Sequence, residues 1–150
     1  MKKDDYSIIK ASCALPAACH PVEIDGHFYY DGGVSDSIPV KKALTDGCEK
    51  IVIIMSKNRD FVKKPESMRM FYSLKCRRYP KVIALLNTRH KNYTKSQRLS
   101  YILEKEGKAF VFAPSEHLAM STYAMDADAN LKLYDLGLTD FASQKADLKT

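Results

Sequence analysis

The chain has 150 residues, 45% of them hydrophobic and 28% charged, with six glycines and six prolines, and that balance belongs to an ordinary globular protein with enough chain to bury a core. It excludes a fibrous, low-complexity or intrinsically disordered chain, and no apolar run approaches the roughly 20 residues a membrane-crossing helix needs. The net charge of +6 is unevenly placed: residues 1–62 hold 8 Lys and Arg against 9 Asp and Glu, residues 63–98 hold 11 against 1, and residues 99–150 hold 5 against 8.

The opening Met1-Lys2-Lys3-Asp4-Asp5-Tyr6 is charged and is not followed by the apolar run of a signal peptide, so the expected location is cytoplasmic. Cys13, Cys19, Cys48 and Cys76 form no C-x-x-C pair and sit in segments that read as structured. Reduced, mostly buried thiols are therefore expected rather than disulfides or a zinc site.

In chain order, residues 4–14 read as the end of a helix, stopped by Pro16 after the small residues Ala11, Ser12, Cys13 and Ala14. Asp25-Gly26, between β-prone stretches within residues 23–30, predicts a tight hairpin whose second strand delivers the chain to Asp31-Gly32-Gly33. Ser35, Asp36 and Ser37 offer capping oxygens ahead of a short helix through Leu44, closed by Asp46-Gly47. Residues 50–55 then form a short, β-branched strand expected to be buried on both faces, and a helix leading into such a strand is half of a parallel α/β unit. Residues 58–65 are polar and basic, a boundary near residue 62. From there residues 66–103 show helical spacing, with Met68, Phe71, Tyr72, Leu74, Val82, Ile83, Leu85 and Leu86 as packing positions and Pro80 dividing the pieces. A strand over residues 107–114, a helix over 126–136 closed by Gly137, and a second short helix over 139–148 complete the expectation.

A carboxylate at a strand end followed at once by two glycines allows the chain to turn sharply beside the acid, since glycine has no Cβ. Asp-Gly-Gly is also a common turn, and its surroundings separate the two meanings. Ala11-Ser12-Cys13-Ala14-Leu15-Pro16, Pro21-Val22, Tyr29-Tyr30-Asp31-Gly32-Gly33-Val34 and Ile38-Pro39-Val40, in this order and spacing over about residues 4–56, resemble the patatin-like phospholipase family. Arg89-His90 with Tyr93, Gly107-Lys108-Ala109-Phe110-Val111, and Lys132-Leu133-Tyr134-Asp135-Leu136-Gly137 look like the tail of a bacterial subgroup of these proteins.

The resemblance implies an α/β fold: the C-terminal part of a three-layer α/β/α hydrolase domain over residues 1–62, then a small helix-rich α+β region over residues 63–150. It implies hydrolysis of a lipid acyl ester by a Ser-Asp dyad, with no metal or organic cofactor. Asp31 is then the catalytic base and Gly32 and Gly33 complete its motif. Aspartate titrates at about 3.9 in water, so such a base has to be held in hydrogen-bond reach of the hydroxyl it serves. None of the six glycines begins a G-x-S-x-G elbow, and no glycine-rich run offers an oxyanion hole. The chain is therefore expected to be a fragment, inactive alone, that lacks its N-terminal half through truncation, a split gene or an internal start; its expected partners are a lipid or acyl-ester substrate and, where the gene is split, that half as a separate chain. The alternative is a non-enzymatic module binding anionic lipid or a protein partner through its basic segment.

Other residues invite chemistry and have plainer readings. Ser35 and Ser37 read as helix caps rather than nucleophiles. His90 reads as structural, and His20, His27 and His117 lack metal-ligand spacing. The basic segment reads first as a solvated helix face, next as a peripheral contact with an anionic membrane surface, and last as a nucleic-acid contact.

Overall fold

The computed structural model describes residues 5–116, 127–146 and 148. Its elements are α1 (Ser7–Ser12), β1 (Val22–Ile24), β2 (His27–Tyr29), a 3-10 turn (Gly32–Val34), α2 (Val40–Thr45), β3 (Ile51–Ile54), α3 (Arg69–Lys75), α4 (Pro80–Lys105), β4 (Ala109–Phe112) and α5 (Ala127–Gln144). Helices thus accompany two small sheets, one pairing β1 with β2 and the other β3 with β4. The chain falls into two compact units, Met1–Pro39 with Lys63–Gln97, and Val40–Val62 with Arg98–Thr150. The polar boundary near residue 62 is one of the places where the chain passes between them, and residues 1–62 and 63–150 each contribute to both.

In the first unit α1 ends where expected, with the Cys13 N–H bonded to the carbonyls of Ile9 and Lys10. Buried Ala11 and Ala14 let the chain pack closely there. The hairpin also forms as expected: Asp25 and Gly26 take φ of +50° and +76°, the pair of positive values a two-residue type I′ turn requires. Pro80 opens α4 at the first helical position, where its missing N–H leaves no bond unmade. Val34, Tyr72 and Leu86 form the core, with Ala17, Val82, Ile83 and Leu85 packed against it. The Tyr72 hydroxyl donates to the Asn87 side-chain carbonyl at 2.8 Å, and Tyr30 meets Tyr79 edge to face at 5.6 Å. Met68, Phe71 and Leu74, expected in the packing, are exposed instead. A helix of seven residues covers a core with one face only, and Tyr72 occupies it.

In the second unit β3 and β4 run parallel, Ile51 opposite Ala109 through Ile54 opposite Phe112, as the α/β reading requires. Burial on both faces of β3 does not occur. Ile53 is 6% exposed, whereas Val52 and Ile54 are 56% and 82% exposed, because side chains alternate and one face has no cover among the described residues. The last turns of α4 are tied to β4 by charge. Arg59 Nη1 and Nη2 each donate to one Glu104 carboxylate oxygen at 2.7 Å, Nη2 also reaches the Val111 carbonyl at 3.0 Å, and Glu104 Oε1 accepts the Val111 N–H at 3.2 Å.

The two helices expected near the C-terminus are one. Helix α5 passes through Gly137 without a break, and the Thr139 hydroxyl donates to the Asp135 carbonyl rather than capping a new helix. A mid-helix glycine costs only about 1 kcal/mol, too little to stop a helix whose other residues continue it. Asp126 and His117 lie outside the described residues. The four cysteines are free, but only Cys76 is buried; Cys13, Cys19 and Cys48 are exposed, contrary to expectation, because they lie on surface turns and an outer helix end. Among the described residues no helix is long and apolar enough to cross a membrane.

Candidate functional site

Asp31 stands at the junction of β2 and the 3-10 turn, with backbone φ −47° and ψ 124°. Its own N–H donates to the Ala14 carbonyl at 2.9 Å, so the chain leaving α1 fixes where the aspartate begins. Its carboxylate Oδ1 accepts the Gly33 N–H at 2.7 Å, capping the turn in the way Asp caps helix starts. Oδ2 carries no hydrogen bond among the described residues. The side chain is half-buried.

The Gly33 peptide is held from the other side as well. Arg89, on α4, donates Nε to the Gly33 carbonyl at 2.8 Å, and the Ser37 hydroxyl donates to the same carbonyl at 2.7 Å. Arg89 Nη1 is in turn placed by Glu66 at 3.2 Å, which also pairs with Lys63 at 3.1 Å. Beneath the turn Val34 is buried in the core with Tyr72 and Leu86. A Cβ on Gly33 would lie 3.1 Å from Asp31 Oδ1, tighter than an ordinary contact, and 3.6 Å from Arg89 Nη2, at ordinary van der Waals distance. Gly32 meets no such limit, so of the two glycines the second is the one the carboxylate requires to be small.

Ser35 and Ser37 do not cap α2. Their hydroxyls donate back to the carbonyls of Gly32 and Gly33, at 3.0 and 2.7 Å, closing local bonds over the turn instead of reaching forward to the helix. Neither donates to Asp31. His27 bonds the Asp25 carbonyl within its own turn at 2.9 Å. Asp31 has no histidine hydrogen-bonded to it among the described residues, and no group of three His, Cys, Asp or Glu side chains there is placed to hold a metal ion.

Sequence reading thus located Asp31, Gly32 and Gly33 as one turn, but it missed the residues that hold the turn: Arg89, Ser37 and Glu66. One signal was present, since Glu66 is the single acid within residues 63–98 and a lone acid among cations invites a structural pair. A cleft of about 890 Å³ in the second unit is lined by Lys50, Arg59, Glu104, Lys108, Ser115 and Gln144, among others. Asp31 does not line it, and its Arg59–Glu104 pair is occupied in holding β4.

Residues 4–44 match the family model of patatin-like phospholipases, which bears out the resemblance over that stretch. Residues 79–150 match a domain of unknown function, DUF6363. The uncharacterized protein YjjU of Escherichia coli (strain K12) is 41% identical over 54 residues, 35% of this chain. The chain spans about 15% of that relative's length.

Proposed function

With residues 4–44 similar to patatin-like phospholipases, we propose that this chain supplies the aspartate of a lipid acyl hydrolase whose serine lies outside these 150 residues. The observation that carries the reading is the Asp31 carboxylate itself: Oδ1 is fixed by the Gly33 N–H, the Gly33 carbonyl is clamped by Arg89 and Ser37, and Oδ2 is left to act. In this reading Oδ2 takes the proton of a serine hydroxyl as the serine oxygen attacks the ester carbonyl. The alcohol leaves with a proton, an acyl-enzyme forms, and water attacks that intermediate by the same route. The chain contributes orientation, since a carboxylate acts as a base only in a fixed position.

Residues 1–62 then form the C-terminal part of a three-layer α/β/α domain, and residues 63–150 an appended helix-rich region. The open apolar face of β3, with Val52 and Ile54 exposed, supports this reading, because parallel strands are ordinarily covered on both faces. The substrate class is a lipid or other acyl ester, and the partner is the polypeptide carrying the G-x-S-x-G elbow. Incubating the purified chain with a short chromogenic acyl ester tests the assignment. No turnover is expected from the chain alone, and turnover that Asp31→Asn abolishes would place the nucleophile within these residues and refute it.

A further inference from the structure

Helix α3 carries two faces of different kind. Tyr72, and Cys76 just past the helix end, are buried. Met70, Phe71 and Leu74 point away from them, related by three and four residues and therefore neighbours on one side of the helix. Met70 is 90% and Leu74 67% exposed, and Met68, at the start of the helix, is exposed too. Four large apolar side chains in water within seven residues call for a partner surface.

The same short stretch is basic. Arg69, Lys75, Arg77, Arg78 and Lys81 are all exposed, and the Lys75 ammonium lies 5.8 Å from the Phe71 ring centroid. Glu66, the one acid in residues 63–98, is engaged by Lys63 and Arg89. No salt bridge among the described residues joins any of these five cations. An apolar face alone suits a protein groove, and cations alone suit any phosphate polymer. The two together, apolar side chains rimmed by cations, match the boundary of an anionic bilayer, where phosphates lie directly over hydrocarbon.

We propose that α3 and the basic turn after it are a docking surface for an anionic phospholipid membrane. Met70, Phe71 and Leu74 enter the headgroup boundary while Lys75, Arg77, Arg78 and Lys81 lie against lipid phosphates. The inference rests on this surface alone and is independent of the role of Asp31.

Flotation of the full chain with phosphatidylcholine vesicles, with and without phosphatidylglycerol, tests it. Binding is expected only when phosphatidylglycerol is present, and it should weaken as salt rises. Arg77→Gln with Arg78→Gln should lower partitioning about thirtyfold, on roughly 1 kcal/mol per basic residue at an anionic surface. Met70→Ser, Phe71→Ser and Leu74→Ser together should also release the chain; these are exposed positions, and circular dichroism verifies the fold. Asp31→Asn should bind as the wild type does. Equal binding to neutral vesicles, full binding by the triple serine variant, or tighter retention by an RNA oligonucleotide than by the anionic vesicles at the same salt would overturn the proposal.

Discussion

Replacing Arg89 by alanine removes the link between α4 and the turn that carries Asp31. The Arg89 side chain is 21% exposed, so the hydrogen bond from Nε to the Gly33 carbonyl is partly desolvated, and a bond with one charged partner contributes roughly 1.5–3 kcal/mol. The ion pair with Glu66 adds less, about 0.5 kcal/mol, because both partners keep some water. The loss is limited by what stays paired: Gly33 O retains the Ser37 hydroxyl and Glu66 retains Lys63, so no buried group is orphaned. Arg89→Ala should therefore cost about 2–3 kcal/mol, read as a lower urea midpoint at unchanged m-value. Arg89→Lys restores a charge for Glu66 but not a donor at the Nε position, and should recover under about 1 kcal/mol of that loss. Adding Ser37→Ala to Arg89→Ala should cost more than the two singles together, since the Gly33 carbonyl then loses both donors. A loss within about 0.5 kcal/mol for Arg89→Ala, or full recovery by lysine, would refute the clamp.

In the second unit, Glu104→Ala leaves the Val111 N–H without its acceptor next to a fully buried side chain and should destabilise by about 2 kcal/mol in the same urea assay. Hydrogen bonding from Arg59, with lesser help from its charge and the Val111 N–H, holds the Glu104 carboxyl below its ordinary 4.5. Its contribution is complete above that value and is lost as pH falls through the lower folded-state value; Glu104→Gln should flatten this part of the acid-unfolding curve. Gly33→Ala should displace the Asp31 carboxylate by a few tenths of an ångström, since its Cβ would sit 3.1 Å from Oδ1. A changed Asp31 side-chain carboxyl resonance in carbon NMR is the expected readout, and Gly32→Ala should leave it in place.

Local signals were the legible part of this fold. Asp25-Gly26 specified its hairpin because φ is positive at both positions, Pro80 marked the start of α4, and the β-branched run at residues 51–54 found its parallel partner. Gly137 misled because a glycine only weakens a helix, and whether the helix continues depends on the residues around it. The exposed faces of β3 and α3 were illegible for another reason: an apolar pattern records which side chains are suited to burial, not what covers them. At the site, the Asp-Gly-Gly turn was readable as a unit. Its clamp was not, because Arg89 and Gly33 are 56 residues apart and no local pattern joins them.

Ester hydrolysis by this chain co-purified with the polypeptide encoded immediately upstream of Met1, for wild type and Asp31→Asn, tests whether Asp31 serves a serine from outside these residues. A G-x-S-x-G elbow in that polypeptide is expected, with turnover by the pair but not by either part, and loss of turnover in Asp31→Asn. Turnover by the pair that is undiminished in Asp31→Asn would contradict that role.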